Sequence, residues 1–291
     1  MTATATELST ITDLAPAFDT PPGTEHGSAR MLWSDTLVFA RRNIEHVRQI
    51  PEKLLDVTIQ PIMFVLLFGF VFGGAIAVGP GNYREFLIAG ILIQTLAFGL
   101  MGPATSISTD LSEGAIDRFR SLPTAPSAYL LGHFVSELAA VLVAITILLT
   151  TGFVIGWRTH SSVFHVAEAM LLLIVFASGM IWVGTWIGMK VRSADAVQGV
   201  VFVIVFPITF ISNAFVPIES MPPALEWFAS WNPISALVSA ERILFGNPTT
   251  PVTTEVWPTM HPVAAAWLYS IAILAIAVPG ALRRHRIRTT D

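Results

Sequence analysis

Residues 62–74 read IMFVLLFGFVFGG, a run with no charged or polar side chain. Such a run belongs in a packed core or in a bilayer, and the residues around it choose between the two. Taken outward, the apolar stretch extends from about residue 54 to residue 78. That is enough to cross a hydrocarbon core of about 30 Å, which takes roughly 20 mostly apolar residues. Five further stretches qualify, at about 86–107, 129–155, 167–189, 196–216 and 263–282. The whole chain of 291 residues is 53% hydrophobic and only 12% charged, with a mean hydropathy of +0.67. A soluble domain carries about 25% charge, so too little polar surface exists to cover a water-facing globule. The reading is an all-α integral membrane protein with six transmembrane helices.

Composition also removes several functions. Two lysines in all, Lys53 and Lys190, a net charge of −4 and no basic tract before the C-terminal end exclude a nucleic-acid partner. Zero cysteines exclude a disulfide framework, a thiolate metal site and a cysteine nucleophile. Residues 1–29 hold no Lys or Arg and no long apolar run, so they lack both parts of a secretory signal. Their Thr, Ala, Pro and acidic content predicts a disordered cytoplasmic tail.

Orientation follows from the basic residues. With both termini inside, Arg30, Arg41, Arg42, Arg48, Lys53, Arg118, Arg120, Lys190, Arg192, Arg283, Arg284, Arg286 and Arg288 are cytoplasmic. Only Arg84, Arg158 and Arg242 are outside. The expectation is a multi-pass protein of the plasma (bacterial inner) membrane with both termini cytoplasmic, its six-span body covering 51–288.

Three segments do not fit a plain bundle. In residues 30–50, Trp33, Leu37, Ala40, Ile44 and Val47 fall on one helical face, with Ser34, Arg41, Glu45 and Arg48 opposite. This predicts an amphipathic helix in the cytoplasmic interface; a soluble helix packed on another element would share the pattern. The cytoplasmic loop 108–127 begins with Asp110, Glu113 and Asp117, continues with Arg118, Phe119 and Arg120, and is stopped by Pro123 and Pro126. Ile116, Phe119 and Leu122 give it an apolar face suited to docking a cytoplasmic partner, although a solvated turn with incidental hydrophobics is the plainer alternative. The outer segment 217–262 is rich in proline and tryptophan, and its apolar stretches are too short to span. Short re-entrant helices dipping into the outer leaflet reconcile these facts.

Catalytic chemistry is sparse. There is no H-E-x-x-H motif, and the seven histidines do not gather into a metal-binding pattern. Ser178-Gly179 lacks a G-x-S-x-G context. His133 and Glu137 form an i,i+4 pair near the inner end of the third span. An intramembrane enzyme using them, or an ion-coupled secondary carrier, are the rival functions; an interfacial polar pair is the simpler account. Neither lysine follows a glycine, so no Walker A loop exists, and any ATP would be hydrolysed on another polypeptide.

The loop EGAIDRFRSLPTAP (113–126), the outer FISNAFVPIESMP (210–222) and WNPISALVSAER (231–242) resemble the signatures of ABC-2-type permeases. These are the membrane halves of ATP-driven exporters, and the likeness is nearest to the daunorubicin-resistance-like branch. It covers roughly 31–288. The resemblance implies that 113–126 is the coupling helix seated on a separate ATPase, with Glu113, Asp117, Arg118 and Arg120 as charged contacts and Phe119 and Leu122 as apolar anchors. It implies that 31–49 is a connecting helix beside the same ATPase. It also implies two permease copies, identical or paralogous, with two ATPases that carry the ATP and magnesium, so this chain binds no cofactor and no metal of its own. The substrate pathway would run between the second and fifth spans, lined by Gln94, Phe98, Met101, Phe206, Thr209, Phe210 and Asn213. Pro207 would kink the fifth span. Such a lining suits an amphipathic drug, antibiotic or lipid.

Overall fold

The computed structural model describes Ile59 and residues 62–72, 83–113, 128–191, 193–249 and 254–290. Every regular element among them is a helix. A short apolar helix, α1 (Ile62–Val71), widens into a π-helical turn at Leu67–Phe72. Then follow α2 (Tyr83–Phe98), α3 (Met101–Ser112), α4 (Ala128–Val154), α5 (Val163–Gly188) and α6 (Ala194–Phe210). Beyond a single 3-10 turn at Ile218–Ser220 come α7 (Pro223–Trp231), α8 (Pro233–Phe245), the one-turn α9 (Trp257–Met260) and α10 (Pro262–Thr290). Four stretches are long and apolar enough to cross a membrane: Tyr83–Ser112, Tyr129–Val154, Val163–Gly188 and Pro262–Arg284. Ile62–Val71 and Ala194–Phe210 are shorter apolar helices at the positions read as the first and fifth spans.

Helix ends follow local chemistry. Ser162 caps α5 by accepting from the His165 amide, and Ser193 caps α6 through Ala196. Asn232 caps α8, whose first residue is Pro233, where a missing N–H costs nothing. Gly246 ends α8 at φ +69°, the left-handed conformation that a Cβ would disfavour. α2 and α3 are one membrane-length path broken at Gly99–Leu100. Pro103 accounts for the break: its ring conflicts with the carbonyl four residues back, and it cannot donate to it.

α5 is the hub, in contact with α2, α3, α4, α6, α8 and α10. Its approach to α3 is backbone on backbone. A Cβ at Gly184 would collide with the Leu100 carbonyl oxygen, and one at Gly188 with that of Ala104. This G-x-x-x-G pair is the device that lets two helices meet closely where lipid supplies no hydrophobic drive. Phe86, Leu92, Leu96, Leu172, Phe176, Leu237 and Phe245 fill the main core.

Two helix boundaries differ from the sequence expectation. The second span starts at Tyr83 and runs on to Ser112, so residues 108–112 are helix rather than loop. The helix at the position read as the fifth span stops at Phe210, and the chain beyond it is bonded by Asn232, Ser235 and Arg242. The outer segment contains α8, which packs on α2, α5 and α10 as an integral part of the bundle. The amphipathic 30–50 segment and residues 114–127 lie outside the described residues.

Candidate substrate pathway and its anchor

α6 turns an apolar face away from its own bundle. Phe202, Val203, Ile204, Phe206, Ile208 and Phe210 are all exposed, Val203 to 73%. Phe202, Phe206 and Phe210 repeat every fourth residue, a spacing that stacks side chains along one helical face. Their ring centroids are 4.8 Å and 4.2 Å apart in turn. The row continues through Phe215 (5.3 Å from Phe210), Phe68 (4.7 Å) and Phe64 (5.8 Å), and at its other end meets Phe98 at 6.4 Å from Phe202. Seven rings thus connect α1, α2, α6 and the turn after α6.

The seven pathway residues inferred from the sequence divide. Phe98, Phe206 and Phe210 share this aromatic row, with Phe98 and Met101 half-buried against the core. Gln94, Thr209 and Asn213 are buried within the chain. The Thr209 hydroxyl donates to the Val205 carbonyl at 2.9 Å, the Asn213 side-chain amide to the Ser239 hydroxyl at 2.7 Å.

The end of α6 is held by side chains of the outer segment 217–262. Asn232 Nδ2 donates to the carbonyls of Ile208 (2.7 Å) and Ile211 (2.6 Å). Arg242, counted from sequence among the outside charges, is fully buried. Its Nε donates to the Phe86 carbonyl at 2.9 Å, and one terminal nitrogen reaches those of Asn213 (2.8 Å) and Ala214 (3.3 Å). The guanidinium also lies 3.3 Å from the Phe86 ring centroid, a cation–π stack shielded from water. Arg242 also stands in the last turn of α8, where a cation meets the negative end of the helix dipole. A signal for Arg242 was present: Ile234, Leu237, Val238, Glu241, Arg242 and Phe245 recur at intervals of three and four, so the charges fall on the apolar face of α8.

On the coupling side, Glu113 forms the C-cap of α3, its amide donating to the Thr109 carbonyl at 2.9 Å. Asp117, Arg118, Phe119, Arg120 and Leu122 lie outside the described residues. The helices flanking that segment are fastened together. Tyr129 of α4 donates its hydroxyl to Asp110 of α3 at 2.5 Å. One step deeper, Glu137 stands 3.8 Å from His133 Nε2, and its Oε2 would be 3.1 Å from a Cβ at Gly102, beside the helix break. His133 is buried and Glu137 22% exposed. No group of three or more His, Asp or Glu side chains comes together among the described residues.

Comparison with known proteins agrees with this architecture. The ABC-2 type transporter family matches residues 35–245. The daunorubicin resistance ABC transporter permease protein DrrB1 of Streptomyces coeruleorubidus is 29% identical over 259 residues, 87% of this chain and 86% of the relative. The doxorubicin resistance ABC transporter permease protein DrrB of Mycobacterium tuberculosis is 27% identical over 234 residues, 77% of this chain and 81% of the relative. A multi-pass helical body with no nucleotide-binding loop of its own, matched over most of its length, has one consistent reading: the chain belongs to the ABC-2 type transporter family and is the permease component of an exporter whose ATPase is a separate subunit.

Proposed function

We propose that this permease moves an amphipathic drug, antibiotic or lipid outward across the plasma membrane. Two permease copies with two ATPase subunits make up the working unit. The observation that carries the cargo reading is the exposed row Phe202–Phe206–Phe210. It offers flat apolar surface and almost no hydrogen bonding, which recognises shape and hydrophobicity rather than charge. The names of the relatives, daunorubicin and doxorubicin resistance permeases, support a drug-like cargo. In this reading α6 of one copy faces α6 of the other across the pathway. Both termini are cytoplasmic, and residues 217–262 form a re-entrant outer rim. The segment 113–126 is the coupling helix, with Glu113, Asp117, Arg118, Phe119, Arg120 and Leu122 seated on the ATPase; residues 30–50 lie beside it. ATP closes the ATPases and draws the two coupling helices together. The Asp110–Tyr129 bond and the Glu137 contact at Gly102 make α3 and α4 move as one lever, and the Gly99–Leu100 break lets that lever tilt against α2.

The test is co-expression with a separate ABC ATPase, followed by co-purification and daunorubicin efflux. Arg118→Ala with Phe119→Ala should abolish co-purification and efflux together. Phe206→Ala should cut efflux about tenfold, the effect of losing one aromatic contact worth roughly 1.4 kcal/mol, while co-purification persists. Full efflux in both variants would overturn the assignment.

A further inference from the structure

Glu241 has no place in the transport scheme, and its surroundings are unusual. Its side chain is fully buried in α8, and neither carboxylate oxygen has a hydrogen-bond partner among the described residues. An ionised carboxylate without donors in a dry interior is strongly disfavoured, and the group takes up a proton instead. Zero accessible surface leaves no room for a metal ion or an amine. The one ligand that fits is the proton.

We propose that Glu241 is a proton-binding site at the junction of α8, α5 and α10, and that its proton keeps α8 packed against those helices. The site is independent of the cargo and of the direction of transport.

The charged and titratable neighbours agree with this. On α5 the acting group is Glu168, a second carboxyl, whose negative charge works with burial to push the Glu241 carboxyl well above the usual range. Glu168 itself accepts from the Trp267 indole of α10 at 3.2 Å. His165 at the start of α5 is exposed, Arg283 and Arg284 lie near the far end of α10 from Trp267, and the other groups on elements touching α8 are engaged as follows. Arg242 serves Phe86, Asn213 and Ala214. Tyr83 and Arg84 of α2 donate to the Phe215 and Ile155 carbonyls. Glu85 pairs with His160 at 3.2 Å, and Glu226 of α7 accepts from Thr254. Tyr269 of α10 donates to the Trp231 carbonyl. No cation is therefore directed at Glu241 among the described residues. Ionisation would leave two carboxylates repelling each other in the seam, and separating α8 from α5 and α10 is how water would reach them.

Linkage sets the sign. The folded chain holds a proton that the unfolded chain loses above about pH 4.3, so stability falls as pH rises above that value and levels off once the folded site ionises. The full-length chain in lipid nanodiscs is the sample, read by infrared spectroscopy and thermal unfolding between pH 5 and 8. The wild type should display the carbonyl band of a protonated carboxyl and a melting midpoint that declines with pH. Glu241→Gln, a neutral isostere, should lose the band and most of the decline. Glu168→Gln removes the neighbouring charge, so its band should persist at pH 5 and fade at lower pH than in the wild type. A band unchanged in Glu241→Gln, the same decline in both proteins, or a band more persistent in Glu168→Gln would each overturn the proposal.

Discussion

Arg242 illustrates how a single residue can organise one end of this permease. Three carbonyls from two separate parts of the chain converge on one guanidinium, and the Phe86 ring closes its open face. Removing the donor would leave buried carbonyls unsatisfied, each costing about 1–3 kcal/mol. Arg242→Met should therefore lower the thermal midpoint of the purified chain sharply, by the equivalent of roughly 3 kcal/mol or more. Arg242→Lys should recover only part of the loss, because a single ammonium cannot reproduce a planar fork of donors. A midpoint unchanged in Arg242→Met would mean that the carbonyls find water or other donors. The same residue marks a limit of reading by charge count. A tally of inside and outside basic residues counts Arg242 as an outside charge, since it records position along the chain and not burial.

At the scale of helices, α3 and α5 approach backbone to backbone. This approach rests on glycines, not on large apolar side chains. Gly184→Val would drive a branched side chain into the Leu100 carbonyl. Overpacking of this kind costs about 1–3 kcal/mol, and here it falls on the hub helix. Its expected outcome is a lower melting midpoint together with weaker efflux, because α3 is part of the proposed lever. Gly199→Val is the control, since nothing lies within 4 Å of a Cβ at that position; it should melt like the wild type. Equal midpoints for the two variants would remove the steric argument. The helices also separate what sequence reports well from what it reports poorly. Apolar runs of membrane length located α4, α5 and α10 within a few residues. α6 was harder, because 211–216 are as apolar as the helix before them, yet they turn away under the pull of Asn232 and Arg242. Pro103 likewise carried the break before α3 in plain view, but proline in a spanning helix kinks some helices and not others, depending on what packs against them.

For the whole molecule, orientation is the feature on which the export direction depends. The chain has no cysteine, so single cysteines can be added without removing any. Ser161→Cys, in the connection between α4 and α5, should react with a membrane-impermeant maleimide on intact cells. Thr6→Cys, in the N-terminal tail, should react only after the cells are broken. The reverse pattern would invert the orientation and put 113–126 on the wrong side for an ATPase.

Much of this protein was determined by its sequence alone. Solvent preference is additive along the chain, so composition and apolar run length suffice for an integral membrane protein of helices. The loop and outer signatures are local patterns that identify the family, and that family's permeases leave ATP hydrolysis to a separate subunit. What only the tertiary structure decided concerns residues distant in sequence. It gathered Phe64, Phe68, Phe98, Phe202, Phe206, Phe210 and Phe215 into one row, though they come from three helices and a turn. It buried Arg242 among carbonyls and left Glu241, its neighbour in sequence, without any partner. Adjacent helical residues point about 100° apart, so neighbours in the chain meet different helices, and packing decides which charge is met and which is left alone.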